Sequence, residues 1–341
     1  MKYTIRILTI YIVVFLCVSC CNAKEKYDPK RFDAYKGINI SSWFSQSINE
    51  TNAIEKKFTN NDIHLIKDLG FDHVRIPIDD TYLFDEKLNE REDRWKILLE
   101  KVDTCIALGL RVIIDLHKSR VHYPGQSVTV FTDKEAEAYF LNTWSHIQNR
   151  FKNYQTSMLA YECLNEPHPW MKSSILWNSL LSKWIKQIRK KEPRRFLFIS
   201  SAYGNNVDTF DKIELPKKDR YLVLSFHYYR PNEMCFFDGK TENGDIPEFS
   251  YSDQVIMSDV SKVMKVAHKY NLQVNCGEFG CRRFIPDSLR YSWFADMIET
   301  FKTNDISYTL WGFNGSGYGI KDATKTLDVK MIETLQLNSD K

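Results

Sequence analysis

The segment Leu159–Pro167 reads LAYECLNEP, and it carries the strongest indication of the fold. It opens as a short, almost continuously apolar run and closes with Asn165, Glu166 and Pro167. Such a run is typical of a strand that is covered on both faces, as in a parallel sheet flanked by helices. We therefore predict a strand over Leu159–Glu166, with its polar residues at the carboxyl end.

Seven further apolar runs of the same kind are spread along the chain. They are Tyr35–Ser41, His73–Ile78, Arg111–His117, Phe196–Ser201, Tyr221–Tyr228, Gln273–Phe279 and Ser307–Phe313. Apolar residues at helical spacing lie between them, and Thr132-x-x-Glu135 has the pattern of a capping box. Gly70 and Gly109 stand where two of these helices should end, just before the next strand.

Eight strand–helix units in about 300 residues indicate a closed parallel barrel. The predicted fold class is α/β, a single (β/α)8 TIM barrel. An open doubly wound sheet is the alternative, but no Gly-rich phosphate-binding loop follows the first strand. Long connections follow strands three, four, six and eight, and the longest, Arg230–Tyr251, is expected to wall a cleft.

Composition excludes some partners and leaves others open. The chain has 341 residues, of which 43% are hydrophobic, enough to bury a large core. The formal net charge is +3, and Lys2 and Arg6 at the extreme N-terminus supply two of those charges. No strong basic face is expected, which argues against nucleic acid as a partner. Aromatic residues make up 14%, which suits either a large core or a groove that stacks sugar rings.

The N-terminal residues 1–23 have the pattern of a signal peptide. A short positive region precedes the apolar run Ile7–Val18, which is too short to span a bilayer comfortably as a mature helix. Cleavage could follow Ala23, or Cys20 could become the lipid-bearing first residue of a lipoprotein; a retained anchor is a further alternative. We expect an exported monomer in the periplasm, at the outer membrane or at the cell surface. Any membrane attachment would be through an N-terminal lipid, and residues 27–341 would form the catalytic domain.

Five cysteines lie beyond this segment, and none has the C-x-x-C spacing of a structural zinc site. An odd number in an exported protein leaves at least one thiol free or paired with another molecule. Cys163 and Cys276 fall inside apolar strand-like runs, where cysteine usually acts as a small buried hydrophobe.

Polar and aromatic residues stand at the carboxyl ends of several predicted strands, where barrels of this kind build their active sites. Strand two ends near Arg75, and strand three ends at His117. Glycoside cleavage needs one carboxyl group that protonates the leaving oxygen and a second that attacks the sugar or activates water. Glu166 and Glu278 can supply this pair, with Arg75 favouring the charged form of Glu278.

The remaining residues at this rim would support the two carboxyl groups. Tyr229 could donate a hydrogen bond to Glu278, while His117 and His227 suit contacts with sugar hydroxyls or with the acid. We interpret Glu162, deeper in strand four, as a structural, paired carboxylate. His122 and His168 are expected at the loop surface or as contacts to the sugar. Trp311 is predicted to be a sugar platform.

Together these residues resemble glycoside hydrolase family 5. Asn165-Glu166-Pro167 is similar to the acid/base motif of that family, and Cys276–Gly280, CGEFG, is similar to its nucleophile strand. The resemblance runs from about Tyr35 to about Leu335. It implies that Glu166 is the acid/base, that Glu278 is the nucleophile and that no cofactor or metal takes part. The other residues that it matches are Arg75, His117, Asn165, His227, Tyr229 and Trp311.

Further aromatic residues occupy predicted rim loops. For each of them, ordinary packing and sugar stacking are equal alternatives. They are Trp43, Phe44, Trp170, Phe236 and Phe237. We include Trp43 among the predicted substrate-binding residues.

The substrate is expected to be a β-linked polysaccharide or oligosaccharide. Asp115-Leu116-His117 and the CGEFG strand resemble the endo-β-1,4-glucanase branch most. A β-mannanase, a xyloglucanase or an exo-β-glucosidase on the same scaffold remains open. Because the two glutamates should meet over a narrow barrel mouth, we predict retention of the anomeric configuration.

Two alternatives belong to other classes. A barrel that has lost its catalysis could bind carbohydrate through the same aromatic residues. A Cys-His hydrolase could use Cys163 or Cys276, provided that one of these thiols is exposed beside a histidine.

Overall fold

The computed structural model describes residues 31–46, 54–122, 129–169, 171, 173–241, 244–315, 317–322 and 324–337. The predicted signal segment with its alternative ends, and Trp170, lie outside these residues.

Eight parallel strands close into one barrel in chain order, with β1 paired to both β2 and β8. The prediction of a TIM barrel is therefore confirmed, and the open sheet is excluded. The strands are β1 Lys36–Asn39, β2 His73–Asp79, β3 Arg111–Lys118, β4 Leu159–Glu162, β5 Leu197–Ser200, β6 Leu222–Tyr228, β7 Gln273–Phe279 and β8 Ser307–Leu310.

Helices connect the strands around the outside of the barrel. The longer ones are Asn60–Asp68, Glu92–Ala107, Lys134–Phe151, Ser174–Lys191, Asp253–Tyr270, Asp287–Thr303 and Val329–Thr334. Short helical segments are Ile54–Lys57, Asp80–Leu83, Ala202–Asn205, Asn232–Cys235 and the 3-10 helix Val207–Lys212. None of the helices in the described ranges combines the length and the apolar character needed to cross a bilayer.

The ends of the helices confirm one sequence prediction and correct another. Gly70 and Gly109 follow helix ends with φ of 88° and 74°, the left-handed backbone that glycine adopts at little cost. The capping box predicted at Thr132 is wrong. The helix instead begins one residue later, because the side chain of Asp133 accepts a hydrogen bond from the backbone N–H of Ala136 at 2.8 Å.

Two predicted strand ends are also corrected. β2 continues beyond Arg75 to Asp79, so that Arg75 lies inside the barrel wall rather than at its edge. β4 ends at Glu162, the last residue in register with β3, and not at Glu166. Glu166 has φ of 42°, a left-handed backbone that a strand cannot contain.

The amino end of the barrel is closed by a separate apolar cluster, which we call the amino-end plug. Its members are Phe32, Ala34, Ile113, Ala160, Phe196, Phe198 and Val223. Phe32 comes from the segment before β1, and its ring centroid lies 5.4 Å from that of Phe196 and 5.7 Å from that of Phe198. All seven are buried. The buried charged groups around Arg75 lie beyond this cluster, towards the carboxyl end.

Candidate active site

Arg75 is the centre of the polar cluster at the carboxyl end. Its side chain is fully buried, and Nε and Nη2 donate to the two carboxylate oxygens of Glu162 at 2.7 and 3.1 Å. Nη1 donates to Asn39 Oδ1 at 2.9 Å and to Glu278 Oε1 at 2.8 Å. Nη2 also donates to Asn165 Oδ1 at 2.9 Å. One guanidinium therefore fixes side chains from β1, β4 and β7 and from the segment after β4.

The structure places Glu162 as the sequence predicted, as a paired carboxylate. It also adds Asp115 on β3, whose Oδ2 lies 3.0 Å from Arg75 Nη2. Burial raises the pKa of Asp115 to about 7, against the opposing charge of Arg75 and with a further contribution from Glu166. Burial by itself would lower the pKa of Arg75, but the surrounding carboxylates raise it well above its ordinary value.

Glu278 reaches the cluster because β7 is irregular at Gly277. The register between β6 and β7 shifts between Phe226 and His227, so that His227 lies opposite Glu278. A Cβ on Gly277 would lie 2.5 Å from Ser225 Oγ, so any larger residue there would force the Ser225 side chain to move. Such shifts often redirect a side chain next to an active site.

Both oxygens of Glu278 have partners, and its side chain is only 5% exposed. Oε1 accepts from Arg75, and Oε2 accepts from the Tyr229 hydroxyl at 2.9 Å. Burial raises the pKa of Tyr229 well above its ordinary value, so this hydroxyl keeps its proton and stays a donor. The predicted contacts of Glu278 are therefore both present.

Glu166 has different surroundings. Its side chain is 38% exposed, and Oε1 lies 2.9 Å from Nδ1 of His227. Burial at the barrel mouth raises the pKa of Glu166, although electrostatic interactions with His117, His168 and Arg75 oppose the shift. Glu166 thus has a raised pKa, while Glu278 is paired with Arg75, which is always positively charged.

Ligand atoms of Glu166, His227 and Glu278 all lie within 4.8 Å of one another, the only such potential metal-ligand group in the described part of the chain. Each atom already has a hydrogen-bonding partner, and the guanidinium of Arg75 lies 2.8 Å from Glu278. A cation there would meet that positive charge, so the donor set suits hydrogen bonding between the two carboxyl groups better than metal binding.

His227 is oriented by a residue that the sequence did not indicate. Asn205 Nδ2 lies 3.0 Å from Nε2 of His227, which leaves Nδ1 to donate its proton to Glu166. Burial lowers the pKa of His227 to about 4, so the ring is neutral at ordinary pH. Asn205 lies in a left-handed turn after β5, with φ of 52°. The only sequence signal for it is the Gly-Asn-Asn run that ends this turn.

The backbone of Glu166 is anchored by the two histidines that were expected at the loop surface or in sugar contacts. His168 Nδ1 lies 2.5 Å from the carbonyl oxygen of Glu166, and the backbone N–H of His168 donates to Nε2 of His122 at 3.3 Å. His122 is buried, so the surface alternative is wrong for it. The carbonyl of Pro167 accepts from Tyr203 N at 2.7 Å, which ties the segment to the turn after β5.

Of the two predicted tryptophan platforms, one lies at the cleft and the other does not. Trp311 is half-buried, and its ring stacks on His117 with centroids 5.7 Å apart and planes 8° from parallel. Trp43 is 1% exposed, and its Nε1 donates to Ile54 O at 3.0 Å. Its ring packs against Phe58, so the prediction that Trp43 binds substrate is wrong: it is a core residue.

The other predicted rim aromatics divide in the same way. Phe44 is buried, and Phe237 is partly buried against the core. Phe236 is 47% exposed and stacks on Tyr229 with centroids 5.1 Å apart. Phe236 alone among these three could offer a free ring face to a sugar.

The cysteines do not support a thiol nucleophile. All five cysteines beyond the N-terminal segment are free and buried. Burial raises the pKa of the Cys163 and Cys276 thiols well above the ordinary value, which disfavours the thiolate. Their burial excludes the Cys-His alternative for these two residues.

Comparisons with known proteins agree with this geometry. The family model described as cellulase, glycosyl hydrolase family 5, matches residues 33–317. Cellodextrinase A of Ruminococcus flavefaciens is 29% identical over 285 residues, covering 80% of this chain and 83% of that protein. Endoglucanase C of Acetivibrio thermocellus is 25% identical over 327 residues, covering 83% and 92%.

Solved structures share the fold. The cellulose synthase subunit Z of Clostridioides difficile superposes with a TM-score of 0.75 at 28% identity, covering 89% of this chain and 99% of that one. An endoglucanase of Thermotoga maritima shares the fold with a TM-score of 0.77 at 24% identity, covering 90% and 98%. Since the family model matches most of the chain, this protein belongs to glycosyl hydrolase family 5.

Proposed function

We propose that this protein is a retaining endo-β-1,4-glucanase, with Glu166 as general acid/base and Glu278 as nucleophile. The observation that carries the proposal is the short gap between the two carboxylates, whose nearest ligand atoms lie within 4.8 Å. Retaining enzymes place their carboxyl groups about 5–5.5 Å apart, whereas inverting enzymes leave about 6.5–9.5 Å for a water molecule. The gap favours direct attack by a carboxylate.

The two roles follow from the two environments. Glu278 is paired with Arg75 and accepts from Tyr229, which favours the ionised form that attacks the sugar carbon. Glu166 has a raised pKa, and His227 donates to its Oε1. The second oxygen of Glu166 can then carry the proton that goes to the departing glycosidic oxygen.

In the first step, an oxygen of Glu278 bonds to the sugar carbon while Glu166 protonates the leaving oxygen, giving a covalent glycosyl–enzyme. In the second step, Glu166, now ionised, removes a proton from water. That water attacks the same carbon and releases Glu278. Two successive displacements at one carbon restore its original configuration.

The substrate assignment is supported by the relatives, which are named endoglucanases and a cellodextrinase. The half-buried ring of Trp311, which stacks on His117, suits stacking against the C–H face of a pyranose ring. The names of the relatives and the position of Trp311 together support a β-1,4-linked glucan as the substrate, bound across the mouth of the barrel.

The test is the release of reducing ends from carboxymethylcellulose, mixed-linkage β-glucan, xyloglucan and β-mannan by the purified protein, with Glu278→Gln as the control. We expect the two glucans with β-1,4 bonds to be cut fastest, with a rapid fall in viscosity that marks internal cleavage. Cleavage of mannan alone would contradict the substrate assignment, and release of monosaccharide without a fall in viscosity would contradict the endo mode.

A further inference from the structure

Gln46, shortly after β1, is an exposed residue that is unusually well fixed. Its backbone has φ of 54°, a left-handed conformation that is uncommon for a residue with a side chain. Its backbone N–H donates to Asp79 Oδ2 at 2.9 Å. Backbone strain of this kind persists where the surrounding structure enforces it, and it often accompanies a functional site.

The side chain of Gln46 points to His117. Its Nε2 lies 3.0 Å from Nε2 of His117, while Nδ1 of the same ring lies 2.8 Å from Asp115 Oδ2. Burial lowers the pKa of His117, so the ring is neutral and has one N–H donor and one acceptor. The three side chains form a continuous chain of hydrogen bonds, which we call the Asp115 relay.

The direction of every bond in the Asp115 relay follows from Arg75. Asp115 Oδ2 lies 3.0 Å from the guanidinium Nη2 of Arg75, so the cation favours the negative charge of Asp115 on this oxygen, and a charged oxygen accepts from His117. His117 must then donate from Nδ1 and accept at Nε2. Gln46 in turn donates from Nε2, and the orientation of its amide is set.

This orientation leaves the amide oxygen of Gln46 as an acceptor at the open end of the barrel. No described residue donates a hydrogen bond to it. His117, the partner of Gln46, stacks on Trp311, so the amide lies close to the predicted sugar platform. A pyranose ring on Trp311 carries hydroxyl groups that can donate to such an oxygen.

We propose that Gln46 binds a sugar hydroxyl in the cleft, and that Asp115 is a positioning residue that acts through His117 to fix the direction in which the Gln46 amide faces. The proposal deepens the proposed function and rests on it for the identity of the ligand.

The first test measures binding of cellotetraose by calorimetry in a Glu278→Gln background, where turnover does not interfere. We compare Gln46→Ala, Asp115→Asn and the double variant. Loss of one neutral hydrogen bond corresponds to roughly a three- to tenfold weaker Kd. Since both changes affect the same contact, the double variant should bind about as weakly as the weaker single variant. Multiplied losses, or wild-type affinity for Gln46→Ala, would overturn the proposal.

A matched control separates the Asp115 relay from a general effect of removing a buried carboxylate. Asp259, a buried carboxylate on the outer helix Asp253–Tyr270, is paired with Arg230 and Lys262, and none of its described contacts is with Gln46, Asp115 or His117. Asp259→Asn should bind cellotetraose with unchanged Kd. An equal loss in Asp259→Asn and Asp115→Asn would show that the effect is only structural.

The second test does not depend on the sugar. Nitrogen-15 NMR of the histidine rings should show the proton of His117 on Nδ1, and Asp115→Asn, which can offer an amide N–H to Nδ1, should move it to Nε2. A proton on Nε2 in the wild-type protein would overturn the Asp115 relay. If the wild-type protein neither bound cellotetraose nor cut glucan, the proposed function would fail, while this measurement would still decide the direction of the hydrogen bonds.

Discussion

At the amino end of the barrel, Phe32 and Phe198 lie with their rings 5.7 Å apart in a cluster of seven apolar residues. At the carboxyl end, side chains of β1, β3, β4 and β7 converge on one buried guanidinium, Arg75, which has carboxylates on three sides. The amino-end plug has no titratable member. The carboxyl end brings Asp115, Glu162 and Glu278 together with a single formal positive charge among them.

This difference separates what stabilises the fold from what performs the chemistry. Burying aromatic rings gains free energy in proportion to the apolar area removed from water. Burying three carboxylates around one arginine brings no comparable gain in folding free energy, because desolvation and mutual repulsion oppose the ion pairs. Changes at the amino end should therefore alter stability without altering chemistry, and changes at the carboxyl end should do the reverse.

The largest effect is expected for Glu278→Gln. Removal of a nucleophile commonly lowers kcat by roughly 10⁴-fold or more, and the amide cannot attack the sugar carbon. Stability should change little, because Arg75 keeps Glu162 and Asp115 as partners. Paired measurements of kcat and of the urea midpoint would check this. A variant that unfolds easily would show that the carboxyl end also determines stability.

Glu166→Gln should have the next largest effect on activity, with a dependence on the leaving group. A general acid contributes about 10²- to 10⁴-fold, and it matters most when the leaving oxygen is a poor leaving group. We expect a large loss of kcat on cello-oligosaccharides and a much smaller loss of the first step on activated aryl glycosides. Pre-steady-state rates would measure both. Equal losses on the two kinds of substrate would count against the acid role.

Phe198→Ala tests the opposite end of the comparison. Truncating a buried phenylalanine costs about 3–5 kcal/mol of unfolding free energy, and Phe198 is buried against Phe32. The kcat per folded molecule should stay within a factor of about two, since the ring of Phe198 packs on Phe32 in the amino-end plug and is not one of the described partners of Glu166 or Glu278. Phe198→Leu is the milder control. A large fall in kcat for a fully folded Phe198→Leu protein would break the proposed separation.

The smallest expected effect is a change in how stability depends on pH. The pKa of Asp115 is raised by burial to about 7 in the folded protein, above its ordinary value of 3.8. Between these values the folded state holds a proton that the unfolded state has lost, so ionisation of Asp115 lowers stability as pH rises from about 4 to about 7. Asp115→Asn lacks this titration.

The stability of Asp115→Asn relative to wild type should therefore improve between pH 4.5 and pH 8. Urea unfolding of both proteins at the two pH values provides the comparison, and Asp259→Asn serves as the control. A relative stability that stays constant from pH 4.5 to pH 8 would show that Arg75 holds Asp115 ionised throughout and would contradict the raised pKa.

Much of this arrangement could be predicted from the sequence, because strands in a parallel barrel are short apolar runs and their carboxyl ends meet at one rim. The pairing of Glu278 with Arg75 and Tyr229 follows from that rule, and so does the paired state of Glu162. Local features that depend only on neighbouring residues are the most predictable from sequence. Gly70 and Gly109, which end two helices, are examples.

Other features depend on distances between loops that a sequence does not contain. Trp43 looks like a rim aromatic by position, but the short helix Ile54–Lys57 covers it and accepts its N–H. Asn205 and Gln46 orient histidines from left-handed turns, and no strand pattern predicts where such turns point. The end of β4 was placed four residues too late, because Cys163 and Leu164 continue the apolar run beyond the last paired residue.

The central claim is that Glu166 and Glu278 are close enough to act by double displacement, and the anomeric configuration of the first product tests it most directly. Proton NMR of cellopentaose hydrolysis, recorded within the first minute, distinguishes the two anomers before they interconvert. We predict that the β-anomer appears first and that the α-anomer grows only later, by mutarotation. An α-anomer present first would mean that water attacked in place of Glu278 and would contradict the account.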